Sequence, residues 1–288
     1  MGNKVASILL LLVILLFSNS SNADLFESST RLANDSDNNE VFHQQFSFWR
    51  PHNAFIDYGI QYNYRSFKSG DSRSLSLLGD ARLNRVGVNF NVGYDSHLSE
   101  PIGDGTLSYW YDYGSIELAY EKDLVDSEHG MSDQISFEHI YLTKEFNYHG
   151  RFILVGTLGQ TNYSDNVRND WWRVIGIYPI NDNFNLIAQR EEESFNDWSP
   201  YYFSPSEYSR TLLGFGTYHQ LGNFELLTRV LYGTQSVYSD SNRSYYIRLN
   251  LSRYIELIDS SMGIQVILDQ KEPEYRYDEL IFTLQKGF

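Results

Sequence analysis

Apolar and polar side chains alternate with a period of two along most of the chain after about residue 53. In residues 54–64, Ala, Ile and Tyr occupy the even positions, and mostly polar residues or glycine occupy the odd ones. This period places successive side chains on opposite faces of an extended chain, so the segment is predicted to be a strand. It is longer than the roughly five or six residues of a globular strand and close to the roughly 9–11 residues of a transmembrane strand.

About fourteen windows of this kind follow one another to the C-terminus, and no helical period competes with them. Clusters of Asn, Asp, Ser and Gly separate them and alternate in length, from the short stretch 221–223 to the long stretch 193–207. Such alternation is typical of transmembrane barrels, which have short periplasmic turns and longer outer loops. The predicted fold class is all-β: a transmembrane antiparallel up-and-down β-barrel of about fourteen strands, with twelve to sixteen also compatible.

A soluble exported β-sandwich is the alternative fold, because its strands would also alternate. Sandwich strands are shorter, and each sheet has only one buried face. Here the windows are long, and Tyr and Trp concentrate near the strand ends of the apolar face, as in the aromatic girdle of a barrel. The opposite face is polar, so the pattern favours the membrane barrel.

The N-terminal region departs from this pattern. Residues 5–17 form an apolar run after Lys4, and small residues follow up to Ala23. This arrangement predicts a signal peptide over residues 1–23, with an N-terminal membrane anchor as the alternative. Residues 24–48 are rich in Ser, Asn and Asp, which predicts a disordered acidic periplasmic leader. The barrel domain is then expected over residues 49–288.

Composition narrows the classes of partner and site. The 288-residue chain has a formal net charge of -15, which argues against nucleic acid as a partner. It contains no Cys, so disulfides, thiolate nucleophiles and zinc-thiolate sites are excluded. Neither an HExxH nor a GxSxG motif occurs. We therefore predict no cofactor and no metal.

The last window carries Leu280, Phe282, Leu284, Lys286 and Phe288 on one face. It resembles the C-terminal signature of bacterial outer-membrane proteins, whose final aromatic residue is recognised by the barrel-insertion machinery. Lys286 departs from this signature, because an apolar or aromatic residue is usual there. The resemblance implies insertion through Phe288, a location in the outer membrane of a Gram-negative bacterium, and contact with membrane lipid and lipopolysaccharide.

The segment from Tyr201 to Tyr208 reads Tyr-Tyr-Phe-Ser-Pro-Ser-Glu-Tyr. Proline fixes its own φ angle and keeps the preceding residue extended, so we predict a rigid turn that delivers aromatic residues to a strand start. The motif residues singled out here are Tyr202, Phe203, Ser204, Pro205 and Tyr208.

This motif and the strand after it resemble the C-terminal β-barrels of exopolysaccharide export proteins, of the type that serves cellulose synthase and of the poly-N-acetylglucosamine exporter type. Such exporters carry helical tetratricopeptide repeats before a barrel usually described as sixteen-stranded, whereas this sequence shows no repeat of 34 residues. The resemblance implies a detached export barrel. Its link to a periplasmic exopolysaccharide synthase would then require a separate scaffold protein.

Alternation also predicts which side chains face the lumen. The candidate lumen-binding residues are Asp57, Gln61, Asn63, Arg65, Arg173, Glu191, Arg210, Arg229 and Arg248. Amides and aromatic faces suit weak contacts to sugars that slide past. An acidic lumen would favour a cationic glycan, whereas acidic outer loops would favour divalent-cation bridges to lipopolysaccharide.

Three functional hypotheses follow. The first is an outer-membrane channel, not an enzyme, for passage of a secreted polysaccharide or oligosaccharide, and it predicts a continuous pore. The second is a general porin or a structural barrel whose lumen groups only satisfy one another. The third is a barrel hydrolase that acts at the rim around His97, His129 or Glu191.

Overall fold

The computed structural model describes residues 24–35, 39–238, 240–255, 260–270 and 276–287. The predicted signal peptide and Phe288 lie outside the described residues. The strands are β1 (Leu25–Asp35), β2 (Glu40–Asn53), β3 (Ile56–Ser66), β4 (Asp71–Leu83), β5 (Val86–Asp95), β6 (Glu100–Tyr111), β7 (Gly114–Leu124), β8 (Ser136–Asn147), β9 (Ile153–Tyr163), β10 (Arg168–Asn181), β11 (Phe184–Phe195), β12 (Tyr208–Leu221), β13 (Phe224–Val237), β14 (Asp240–Ile255), β15 (Ser260–Gln270) and β16 (Arg276–Gly287). A short helix, α1 (Glu128–Ser132), lies between β7 and β8.

The strands form one closed antiparallel barrel in which each strand pairs with its neighbours in sequence. Closure is made by β1 and β16, with Leu25 opposite Gly287 and Asp35 opposite Tyr277. Closing the sheet removes the unpaired edges that a membrane does not tolerate. The predicted fold class is confirmed, with sixteen strands at the upper end of the expected range. Within the described ranges, no helix is long and apolar enough to cross a membrane.

The fourteen predicted windows correspond to β3 through β16, but the prediction for residues 24–48 is wrong. Strands β1 and β2 occupy this segment in place of a disordered leader, so the barrel begins at Leu25 and not at residue 49. Thr30 pairs with Gln44 on one side and with the exposed Phe282 on the other, which puts both polar residues on the outward face. Ser28 and Thr30 thus interrupt the outward face of β1, whereas β2 carries Phe42, Phe46 and Phe48 outward beside Gln44, so its apolar alternation is present in the sequence.

The outward face of the barrel is apolar around most of its circumference. Leu77, Val92, Leu158 and Leu213 are each more than half exposed on it. Exposed tyrosines stand near both ends of the strands, including Tyr94 at one end and Tyr58, Tyr109 and Tyr178 at the other. An apolar band between aromatic girdles matches a surface in contact with lipid. The feature agrees with the predicted location in the bacterial outer membrane.

The two ends of the barrel differ in the length of their connections. The end that holds Leu25 and Gly287 has two-residue turns such as 54–55, 84–85, 182–183 and 222–223. The opposite end, here called the outer mouth, has the two longest described connections. These are residues 125–135, here called the capping loop, and residues 196–207, here called the motif loop. Longer loops mark the extracellular side of such barrels.

Candidate functional site: the barrel lumen

The four candidate residues on β3 all share its inward face, because the alternating Ile56, Tyr58 and Ile60 are exposed outward. Gln61 accepts a hydrogen bond from Gln45 at 2.8 Å, and Asn63 donates one to Ser74 at 3.0 Å. Arg65 forms an ion pair with Asp123 of β7, four strands away. No contact joins Asp57 to the other three within the described part of the chain. This side of the lumen is filled by polar groups that satisfy one another.

Arg210 forms the central ion pair of the opposite side of the lumen. Its guanidinium lies 2.6 Å from Asp269 and 3.4 Å from Glu191, and it donates a further hydrogen bond to the Tyr245 carbonyl at 2.8 Å. The Arg210 side chain is only 2% exposed. Three strands thus converge on one buried cation, which fixes their inward faces relative to one another.

Arg173, Arg229 and Arg248 border the same cavity as Arg210 and are here called the arginine cluster. The cavity has a volume of about 360 Å³. Arg248 donates to Gln265 at 2.9 Å, but none of the three forms an ion pair among the described residues. Arg229 and Arg248 also border a second cavity of about 280 Å³. All three arginines thus line one cavity, and ligand binding by them stays a prediction.

An acidic wall faces the arginine cluster across the lumen. Asp104 of β6 and Glu117 and Glu121 of β7 point inward, since Leu118 and Tyr120 between them are exposed outward. Asn91 donates to Asp104 at 3.0 Å. In a closed ring of sixteen strands, β6 lies directly opposite β14. Asp104 therefore lies on the wall opposite Arg248, whereas Arg173 on β10 is three strands from Glu117 and Glu121 on β7.

An aromatic platform lies beside the arginine cluster and consists of His139, Tyr141 and Trp171. The rings of His139 and Trp171 stack with centroids 5.2 Å apart and an interplanar angle of 14°, and Tyr141 lies 6.2 Å from Trp171. Trp171 lines the cavity together with Arg173. Sequence reasoning missed this platform, although Trp171 shares the inward face of β10 with Arg173 and alternation alone would have shown it.

Gly159 makes room for the platform. A Cβ atom at this position would lie 2.7 Å from the Trp171 ring and 2.8 Å from the Cβ of Tyr141. We expect Gly159→Ala to displace Trp171 and to lower the free energy of unfolding by about 1–3 kcal/mol. Urea unfolding of the folded barrel measures the change. Gly156→Ala on the same strand is the matched control, because no atom lies within 4 Å of its Cβ; an equal loss in both variants would contradict this account.

The capping loop folds inward over the outer mouth. Met131 of α1 is fully buried and belongs to one apolar cluster with Ala33, Val41, Phe67 and Leu124. Those residues come from β1, β2, the loop after β3, and β7. The chain between β7 and β8 therefore reaches across the mouth to the N-terminal strands. Burial of Met131 is the main apolar contribution to this contact.

Polar contacts hold the capping loop at its rim. Arg31 of β1 forms ion pairs with Asp126 of the loop and with Glu279 of β16. The Glu128 carboxylate accepts hydrogen bonds from the backbone amides of Lys68 and Ser69, at 2.6 and 2.8 Å. The capping loop thus covers part of the outer mouth, on the side of the N-terminal strands.

The motif residues pack within the motif loop. Tyr202 stacks on Tyr163 with centroids 4.0 Å apart and donates a hydrogen bond to Asp165 at 3.0 Å. Burial, with the nearby Asp165 carboxylate, raises the pKa of Tyr202 well above its usual range, so the phenol stays a donor. Ser204 accepts a hydrogen bond from the Ser199 amide at 2.7 Å.

The end of the motif leads into the barrel wall as predicted. Pro205 is buried, Phe203 meets Tyr208 edge to face with centroids 5.7 Å apart, and the buried Tyr208 begins β12. The motif loop also contacts the capping loop, because Ser127 donates to the Tyr201 carbonyl at 2.7 Å. The observed contacts of the motif thus stabilise the outer mouth.

No family model matches the sequence, and a search among curated proteins finds no significant match. Solved structures share the fold. A structure titled "Bacterial polysaccharide outer membrane secretin" is similar with a TM-score of 0.80 at 12% identity, over 94% of this chain and 100% of that one. OccK5 (OpdH) of Pseudomonas aeruginosa has a TM-score of 0.51 at 11% identity, over 92% and 98%. OmpT, an outer membrane protein of Vibrio cholerae, has a TM-score of 0.50 at 9% identity, over 92% and 97%.

The described barrel therefore has the architecture of bacterial outer-membrane barrels, and its predicted resemblance to a polysaccharide export barrel is confirmed at the level of the fold. At such identities, similarity shows the fold alone, so function depends on the lumen.

The residues of the hydrolase hypothesis do not form one site in the described part of the chain. The His97 ring is 2.7 Å from the Met131 carbonyl, which ties it to the capping loop. His129 lies on α1, and Glu191 is paired with Arg210 inside the lumen. No hydrogen bond links the three, as a nucleophile and its general base would require.

Proposed function

We propose that this protein is an outer-membrane channel for a polysaccharide or oligosaccharide chain. The observation that carries the proposal is the aromatic platform of His139, Tyr141 and Trp171, which lies beside a cavity lined with charged and amide side chains. A sugar offers an apolar ring face and a rim of hydroxyl groups. Aromatic rings suit the first, and amides and charged groups suit the second.

The fold comparison supports the same proposal. The similarity to the polysaccharide secretin is higher than that to the two other outer-membrane proteins, at a TM-score of 0.80 against 0.51 and 0.50. Sugar contacts that are individually weak allow a polymer to slide, as a conduit requires. A periplasmic synthase or scaffold partner, and contacts with lipopolysaccharide, belong to this proposal.

In this proposal the capping loop gates the channel, and the described conformation is its closed state. Passage of a chain then requires movement of this loop, which is held by one apolar cluster and a few polar contacts at its rim. Loops of this kind move while the barrel wall stays fixed, because they depend on fewer contacts than the strands do.

A porin for small charged solutes is the second candidate. The opposed arginine cluster and acidic wall favour it, because separated charges set up a transverse field that orients dipolar solutes. The conductance of such a porin would change with ionic solutes and would not depend on the aromatic platform. The two functions therefore differ in their dependence on Trp171.

We expect maltohexaose to interrupt the single-channel current of the refolded barrel in a planar bilayer, and Trp171→Leu to weaken this block about three- to tenfold. The loss of one stacking surface is the physical reason. Trp172→Leu is the matched control, because Trp172 follows directly and faces outward. Block that is unchanged in Trp171→Leu, or lost equally in Trp172→Leu, would contradict the role of the platform. A folded barrel without any conductance, both as the wild type and as a Met131→Asp variant whose capping loop is released, would overturn the channel.

A further inference from the structure

We propose that the arginine cluster is a binding subsite for the anionic groups of a glycan, so that the transported chain carries carboxylate groups. This inference rests on the proposed function, because it names the class of chain that the lumen takes. The arginine cluster consists of Arg173, Arg229 and Arg248, on β10, β13 and β14.

The first line of support is uncompensated positive charge. Among the acidic groups that border the cavity, Glu191 and Asp269 are already engaged by Arg210, and Glu193 accepts a hydrogen bond from Asn169 at 3.4 Å. The arginine cluster itself has no ion-pair partner within the described ranges, and the Arg173 side chain is exposed to the lumen. Guanidinium groups bind carboxylates through two parallel hydrogen bonds.

The second line of support is a buried donor without an acceptor. Arg210 lines the same cavity, and its Nε makes no hydrogen bond although the residue is 2% exposed. Buried polar groups rarely stay unpaired, so an acceptor beside this guanidinium would satisfy the Nε.

The third line of support is the shape of the site. The cavity of about 360 Å³ falls in the range of about 300–1,000 Å³ that is usual for small-ligand sites. Trp171 and Arg173 line it together, so a sugar ring stacked on Trp171 would hold a ring carboxylate toward Arg173. Arg229 and Arg248 continue along the wall into the second cavity, where successive units of a chain would lie.

The acidic wall strengthens the selectivity of this subsite. Asp104, Glu117 and Glu121 stand across the lumen and repel an anionic chain toward the arginines. Such fields inside a pore with low-dielectric walls fall off less with distance than they do in bulk water.

The test is calorimetric titration of the full chain, refolded in detergent at low salt, with a hexamer of galacturonic acid and with maltohexaose. We expect the anionic hexamer to bind at least about tenfold more tightly than the neutral one. The triple variant Arg173→Gln, Arg229→Gln, Arg248→Gln should lose this difference. In the unmodified protein, added salt should also reduce the difference in affinity between the two hexamers. The matched control removes three outward arginines, through Arg168→Gln, Arg190→Gln and Arg253→Gln, and should keep the difference.

Equal affinities for the two hexamers, the same loss in the control, or tighter binding of a glucosamine hexamer would each overturn the anionic subsite. Heat-modifiable mobility in gels verifies folding, and if the triple variant does not fold, Arg173→Gln alone should weaken binding of the anionic hexamer about tenfold. Bilayer conductance tests the proposed function separately from the binding measurement. Selective binding of the anionic hexamer without conductance would overturn the channel and support the subsite. Conductance without selective binding would support the channel and overturn the subsite.

Discussion

Replacing Met131 by aspartate should open the outer mouth and raise the single-channel conductance about threefold. Met131 is fully buried in the apolar cluster that holds the capping loop against the N-terminal strands. An unpaired carboxylate in this cluster costs on the order of several kcal/mol, which exceeds what the remaining rim contacts of the loop supply. Because the strands keep their own hydrogen bonds, the barrel itself is expected to stay folded.

Met131→Leu is the control, since this change conserves volume and apolar character and should leave the conductance unchanged. The measurement is the distribution of current steps in a planar bilayer, recorded for both variants at the same voltage and salt. If Met131→Asp gives the same current steps as Met131→Leu, the capping loop does not limit the pore.

Replacing Arg210 by methionine should lower the free energy of unfolding by about 3–5 kcal/mol. Arg210 is 2% exposed, and it is the shared partner of Glu191 and Asp269. Methionine has a similar length but no charge, so the variant leaves two carboxylates facing each other without a cation. The loss combines the desolvation of those carboxylates with the broken bond to the Tyr245 carbonyl.

Arg190→Gln is the comparison for this variant. Arg190 faces outward and pairs with Glu192, and both side chains are exposed, so its loss should change stability by at most about 1 kcal/mol. Urea titration of the refolded barrels, followed by tryptophan fluorescence, gives both values. Similar losses in the two variants would show that Arg210 is not the central ion pair of its wall.

Periodicity predicted the parts of the fold whose lipid-facing residues are apolar. Strands β3 through β16 have such faces, and each of them was found. Strand β1 was missed because Ser28 and Thr30 face outward there, whereas β2 does alternate, with Phe42, Phe46 and Phe48 outward beside Gln44. Their place in the barrel is set by pairing with β16, which is distant in sequence.

The orientation of the lumen residues was predictable from the sequence, but their pairing was not. Alternation placed Arg173, Arg210 and Arg229 on the inward face, because a period of two needs no knowledge of the partner strands. It did not show that Arg210 is neutralised and that Arg173 is not, since this depends on Asp269, which lies five strands from Arg173 around the barrel. The capping loop was also missed, because a single methionine without a period carries no signal in sequence.

The contacts of the capping loop join β7 to strands with which it shares no backbone ladder. The loop follows β7 and packs on residues from β1, β2 and the loop after β3, so one apolar cluster connects these parts of the wall. Arg31 extends this connection to β16, because it pairs with both Asp126 and Glu279. Movement of the loop would therefore release a side-chain link beside the closing pair of strands, β1 and β16, and would leave the backbone ladder of that pair in place.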